Sequence, residues 1–184
     1  MRILGGSLKG RTLAVVVAPG TRPTTDAMRE SLFSILNAVV DWTDCTVLDL
    51  FSGTGALGFE ALSRGAAHCT FVDKSTAMCR SIQRNATALG LTDKCTIDVE
   101  DVMTMLRRRT GPYDVVFCDP PYDLRICNQV LRVLDAEHLL TDGGIYIAEH
   151  DEREVVVDIE GWERQTSRKR GGTVVDVFQF THEQ

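Results

Sequence analysis

The spacing of hydrophobic positions changes twice along the chain. Between residues 26 and 40, Met28, Leu32, Ile35, Leu36 and Val39 recur at helical intervals, which predicts an amphipathic helix. Ahead of it, residues 2–4 and 11–17 are short β-prone runs on either side of Gly5-Gly6-Ser7-Leu8-Lys9-Gly10, the pattern of a hairpin. Pro19-Gly20 and Pro23 then mark a loop. From residue 46 the pattern alternates. Runs at 46–51, 68–73, 95–99, 114–119 and 144–149 are apolar and rich in β-branched residues, and helical patterns lie between them. One such pattern is Met78, Ile82, Ala86 and Leu89, at steps of four, four and three. Repeated β-α units predict a parallel sheet with helices on both faces. Residues 155–159, 162–167 and 173–180 read as strands without intervening helices, an antiparallel edge. The expected fold is therefore doubly wound α/β with a mixed edge. A hairpin and helix over 1–40 precede a main body over 41–184.

Composition narrows the class. The chain has 184 residues, of which 43% are hydrophobic and 25% charged, which is globular and excludes disorder as the main state. Twenty basic residues against 26 acidic ones give a net charge of −6. Residues 1–30 run the other way: Arg2, Lys9, Arg11, Arg22 and Arg29 face only Asp26 and Glu30, a net of +3, so the remaining 154 residues carry −9. A basic end on an acidic body implies an anionic partner met at one face. The apolar run 13–18 is far shorter than the ~18 residues of a membrane span, and Arg2, Lys9 and Arg11 interrupt any signal-peptide core. Six cysteines show no C-x-x-C spacing, and Cys69, Cys95 and Cys118 fall in strand-like runs, where buried reduced thiols are expected. No metal site is expected; a cytoplasmic, monomeric protein is.

Gly53-Thr54-Gly55-Ala56-Leu57-Gly58 is a G-x-G-x-x-G between a strand and a helix. The pattern serves dinucleotides, whose pyrophosphate takes the helix end, but by itself it also fits a tight turn with no ligand. Two acids argue for a nucleoside without pyrophosphate. Asp49, four residues before the first glycine, opposes phosphate and suits an ammonium group; Asp73, ending the second strand, suits two ribose hydroxyls. S-adenosylmethionine has the amino group and the ribose, and no phosphate. Phe51 and Lys74 flank these positions and complete the set with Gly53, Gly55 and Asp101. Asp101, after the third strand, either accepts from an adenine amine or caps the following helix.

Asp119-Pro120-Pro121-Tyr122 closes the fourth strand. The lone pair of a base's exocyclic amine is delocalised into the ring, which makes it a poor nucleophile. A carboxylate and a peptide carbonyl fixed by proline can accept its two N–H bonds and favour tetrahedral nitrogen, while an aromatic ring stacks on the base. Asp119, Pro120 and Tyr122 are thus the catalytic candidates.

The tetrapeptide is typical of methyltransferases acting on base amino groups. Further segments resemble the bacterial small-subunit rRNA guanine-N2 methyltransferases, the RsmD family. They are Ile3-Leu4-Gly5-Gly6 with Lys9-Gly10-Arg11, Arg22-Pro23-Thr24-Thr25-Asp26 with Arg29-Glu30-Ser31-Leu32-Phe33, and the stretch 49–65. The resemblance spans nearly the whole chain. It implies a Rossmann-like methyltransferase body in which Asp49, Gly53 and Gly55 cradle S-adenosylmethionine, with Asp73 on its ribose and Asp101 near its adenine. It also implies that Asp119, Pro120 and Tyr122 hold a guanine of 16S rRNA, in an assembled or nearly assembled small subunit, for methylation at N2. One turn departs from the pattern. The family commonly has basic-basic-Tyr-Gly-Asp-Thr where this chain has Arg168-Lys169-Arg170-Gly171-Gly172-Thr173.

Candidates for RNA contact are Arg2, Lys9, Arg11 and Arg22 at the basic end, since glycines beside basic side chains suit phosphates, and Arg168, Lys169 and Arg170 near the Gly-Gly turn. Arg164 belongs to the same cluster, whereas Arg107-Arg108-Arg109 reads as a solvated helix end. Arg22 and Arg29 could equally pair with Asp26 and Glu30. Competing functions are an adenine-N6 methyltransferase on DNA or RNA, a nicotinamide-dependent oxidoreductase, and a non-catalytic RNA-binding assembly factor. A DNA enzyme usually needs a recognition domain for which 184 residues leave no room. An oxidoreductase leaves Asp119–Tyr122 unexplained. A protein glutamine methyltransferase would prefer Asn at position 119.

Overall fold

The computed structural model describes residues 1–15, 26–108 and 111–181. Among them, seven strands form one sheet in the order β3-β2-β1-β4-β5-β7-β6. The parallel strands are β1 (Thr46–Leu50), β2 (His68–Asp73), β3 (Cys95–Val99), β4 (Tyr113–Cys118) and β5 (Leu140–Asp151). β7 (Thr173–Phe180) runs antiparallel to β5 and to β6 (Trp162–Arg170), as the loss of helical spacing predicts.

Strand alternation splits the core into two layers. On one face Val47, Phe71, Phe117 and Ile147 pack with α1 (Asp26–Leu36), α2 (Ala56–Arg64) and α3 (Thr76–Leu89). On the other, Leu48, Val72, Val116 and Tyr146 pack with α4 (Val102–Leu106) and α5 (Cys127–Ala136). Residues 1–15 and 26–40 pack on the first of these cores. Ile3, Leu13, Phe33 and Leu36 are fully buried in it, and the Phe33 and Phe117 ring centroids lie 5.8 Å apart.

Three expectations change. The hairpin reduces to one antiparallel bridge, Arg2 with Thr12, because its turn bonds elsewhere: the Ser7 N–H donates to the Ser63 carbonyl and the Leu8 N–H to Ser63 Oγ. Its expected second strand runs to residue 17, past the described residues. The helix expected over 26–40 is regular only to Leu36. Residues 155–159 are not a strand. Asn128 of α5 takes their backbone instead, donating to the Val155 carbonyl at 2.5 Å and accepting the Val157 N–H at 2.8 Å.

Among the described residues no helix is long and apolar enough to cross a membrane. The six cysteines are unpaired, with Cys69 and Cys118 fully buried and Cys95 half-buried at the sheet's edge.

Candidate active site

The strand order reverses between β1 and β4, which are hydrogen-bonded neighbours. Open α/β sheets hold ligands at the carboxyl edge beside such a reversal. The glycine loop leaves β1 there and the Asp119–Tyr122 segment leaves β4. Two motifs 61 residues apart in sequence, counted from Gly58 to Asp119, thus become adjacent.

The loop is built by its own hydrogen bonds. Gly55, at φ +74°, caps α2 in the left-handed region that glycine tolerates, and its N–H donates to the Ser52 carbonyl at 2.6 Å. A Cβ at Gly58 would stand 2.3 Å from Phe71 Cε1, so the last glycine lets α2 lie against β2. The Gly58 N–H donates to Asp49 Oδ2 at 3.0 Å, so a carboxylate takes up one of the free donors of the helix N-terminus. Asp49 is only 2% exposed. Burial pushes its carboxyl well above the usual range, helped by the charges of Asp119 and Asp73 and opposed by the Gly58 N–H. An aspartate held so awkwardly suits a cation.

Asp73 is fixed at both oxygens, accepting the Gly53 N–H at Oδ2 and the Ser75 N–H at Oδ1, each at 2.8 Å. A carboxylate has about four acceptor positions, so two remain for hydroxyls. Lys74 is exposed beside it, and Phe51, at φ +55°, packs on the second core. Asp101 caps α4, accepting the Thr104 N–H at 3.1 Å, while staying exposed; this meets the capping alternative and leaves the carboxylate at the edge. Its neighbour Glu100 pairs with Arg108 at 2.5 Å, which makes Arg108 part of a solvated helix end.

Pro120 is buried, and Tyr122 opens a single 3-10 turn, half-buried, with its hydroxyl 2.6 Å from Thr173 Oγ1. Thr173 starts β7, opposite Arg170. Sequence reasoning missed Thr173, since a hydroxyl 51 positions away leaves no local signal. It also passed over Glu149, which ends an apolar run as Asp73 and Asp119 do.

The basic candidates separate. Arg168 and Arg170 are exposed on the β6–β7 hairpin, and with Met28, Ser31 and Ile35 of α1 and Val175 they line a small groove of about 60 Å³. Lys169 pairs with Glu152. Arg164 is structural: it bonds Asp176 at 2.8 Å and Asp158 at 2.9 Å and lies over the Phe178 ring. Lys9 is exposed, and Arg11 donates to the Ala88 carbonyl at 3.0 Å. Ser63 and Ala88 lie near the carboxyl ends of α2 and α3, so the 5–11 turn sits at the sheet's opposite edge from Asp119. Arg2 pairs with Asp26, and buried Arg29 bonds Asp26 at 2.7 Å and the Arg2 carbonyl at 3.0 Å. Arg22 and Arg109 lie outside the described residues.

A family model described as Conserved hypothetical protein 95 matches residues 1–179. The Bacillus subtilis protein YlbH is 39% identical over 158 residues, 84% of each chain. The Escherichia coli protein named Ribosomal RNA small subunit methyltransferase D is 32% identical over 180 residues, covering 97% of this chain and 89% of that one. A solved structure of the Escherichia coli protein yhhF superimposes with a TM-score of 0.88 at 29% identity, over 98% of both chains.

Proposed function

The chain belongs to the family described as Conserved hypothetical protein 95, and we propose that it transfers a methyl group from S-adenosylmethionine to the exocyclic N2 of a guanine in 16S rRNA of the small ribosomal subunit. The observation that carries this reading is the meeting of the glycine loop and Asp119–Tyr122 on neighbouring strands at one sheet edge.

The residues present fit the cofactor. Asp49 is a secluded acid suited to its ammonium, Gly53 and Gly55 let the backbone approach, and Asp73 keeps acceptor positions for its ribose. Phe51, Lys74 and Asp101 rim the same edge. Bound there, S-adenosylmethionine supplies a methyl group on a positively charged sulfur, which becomes neutral on transfer.

The remaining work falls to the chain. The target base must leave its stack to reach the edge. Asp119 and the Pro120 carbonyl accept the two N2 hydrogens, which concentrates the nitrogen lone pair on the side facing the methyl donor. Tyr122 covers the base, and Thr173 fixes the ring through its hydroxyl. Alkylated nitrogen is strongly acidic, so its proton can leave to water and Asp119 need not be a strong base. Arg168 and Arg170 flank this position and take phosphates of the flanking RNA; Lys169 adds charge to the hairpin. Lys9 and Arg11, on the far edge, reach only an RNA that wraps the protein, as the rRNA of a whole subunit would. Arg2 and Arg22 are the other basic residues of the first thirty in the sequence, and Arg2 pairs with Asp26.

Mass spectrometry of small-subunit rRNA from cells lacking the gene tests the proposal. One N2-methylguanine should disappear and return with the intact gene. Loss of an N6-methyladenine instead would favour the adenine reading, and no change in the rRNA would overturn both.

A further inference from the structure

We propose that Glu149 determines base specificity by accepting the N1–H of the target guanine. The inference rests on the guanine-N2 reading above and adds a residue to it.

The sheet register carries the argument. Phe117 is paired with Ile147 and Cys118 with Ala148, so Glu149 is the next residue of β5 and Asp119 is the first residue beyond β4. Alternation along β5 puts Glu149 on the face of Ile147. Phe117 and Ile147, two residues earlier on each strand, pack in the same core with α1, α2 and α3, and so does Val175, the partner of Glu149 across β7. Asp49, whose carboxyl senses that of Asp119, lies on this face as well. Glu149 is 6% exposed, so little water competes for what its carboxylate meets.

Guanine presents N1–H and N2–H2 side by side on its Watson–Crick edge, where flipped bases are read. A site that takes both N2 hydrogens with Asp119 and Pro120 still faces N1–H, and the neighbouring strand supplies a carboxylate at that level. Adenine and 2-aminopurine carry a lone pair at N1, which a carboxylate repels. Sites built to accept a substrate N–H reject analogues lacking it by about 10⁴–10⁵, far more than a difference of shape achieves.

The test uses small subunits reconstituted with 16S rRNA carrying guanine or 2-aminopurine at the methylated position. Both bases have the 2-amino group, and only guanine has N1–H. Wild-type enzyme should favour guanine by at least about 10²-fold in kcat/KM. Glu149→Gln, which can donate to N1, should shrink that preference to within about tenfold, while calorimetry shows unchanged S-adenosylmethionine affinity. An undiminished preference in folded E149Q overturns the inference and leaves the proposed function standing. If E149Q does not fold, Glu149→Ala takes its place: a guanine preference that shrinks in folded E149A supports the inference and an undiminished one overturns it, and a wild-type ratio near one overturns it without any variant. A wild-type enzyme that methylates neither base overturns the proposed function, and the role of Glu149 with it.

Discussion

At Asp49, stability and binding pull in opposite directions. Burial, with Asp119 and Asp73 nearby, raises its pKa well above the ordinary 3.8, so the folded protein keeps a proton there at pH values where the unfolded chain has released it. Stability of the ligand-free protein therefore falls as pH rises from the ordinary aspartate range through the raised folded value. Asp49→Asn removes this dependence and keeps an acceptor for the Gly58 N–H. The variant should melt at a higher temperature than wild type at pH 7 without cofactor. It should bind S-adenosylmethionine about ten- to hundredfold more weakly, the loss of one charged hydrogen bond. Scanning calorimetry and titration calorimetry read the two halves; a less stable variant with wild-type affinity would contradict both. The position of Asp49, four residues before a glycine loop, was visible in the sequence. Its bond to Gly58 was not, because it depends on how closely α2 approaches β1.

Among elements, the parallel strands were legible because buried strands must be continuously apolar and their helices must repeat every three or four residues. The antiparallel edge was legible only in outline. Val155, Val156 and Val157 favour a strand by composition, yet the Asn128 side chain satisfies their backbone and the strand never forms. The edge is held instead by a buried network that no local pattern announces: His150 of β5 lies 3.0 Å from Asp176 of β7, which also pairs with Arg164 of β6. Burial disfavours charged His150, but bonds to Asp176 and the Asp151 carbonyl outweigh it and raise the pKa above 6.5. Burial likewise works against charged Asp176, but His150, Ser167 and Arg164 hold its pKa below 3.8. The histidine's contribution is complete below pH 6.5 and fades as pH rises through its raised value. That of Asp176 is complete above pH 3.8 and fades as pH falls through its lowered value. His150→Gln should thus cost about 1.5–3 kcal/mol near pH 6 and less near pH 9. Urea unfolding at both values checks this; a cost that grew with pH would refute the charged pair.

For the whole molecule, Lys9 and Arg11 lie at the opposite edge of the sheet from Arg168 and Arg170, a division that only the docking of the 5–11 turn on α2 reveals. Substrate size should separate them. Arg168→Ala with Arg170→Ala should weaken binding of a short hairpin and of whole subunits alike, lowering the salt slope by up to about two. Lys9→Ala with Arg11→Ala should matter only for whole subunits, with cofactor affinity unchanged in both pairs. Equal effects of the Lys9/Arg11 pair on both RNAs, in filter-binding salt titrations, would place that turn beside the catalytic edge after all. The central claim is narrower: Asp119 and Tyr122 prepare a base amine for methylation, one by accepting its hydrogens and the other by covering its ring. Single-turnover methylation of unmodified small subunits tests it most directly. Asp119→Ala should slow the step by about 10²–10³, Tyr122→Phe by less than about tenfold because the ring that covers the base is kept, and Tyr122→Ala should weaken substrate binding. The product in each case should be N2-methylguanine. Rates for Asp119→Ala within a fewfold of wild type, or Tyr122→Phe as damaged as Asp119→Ala, would contradict the mechanism.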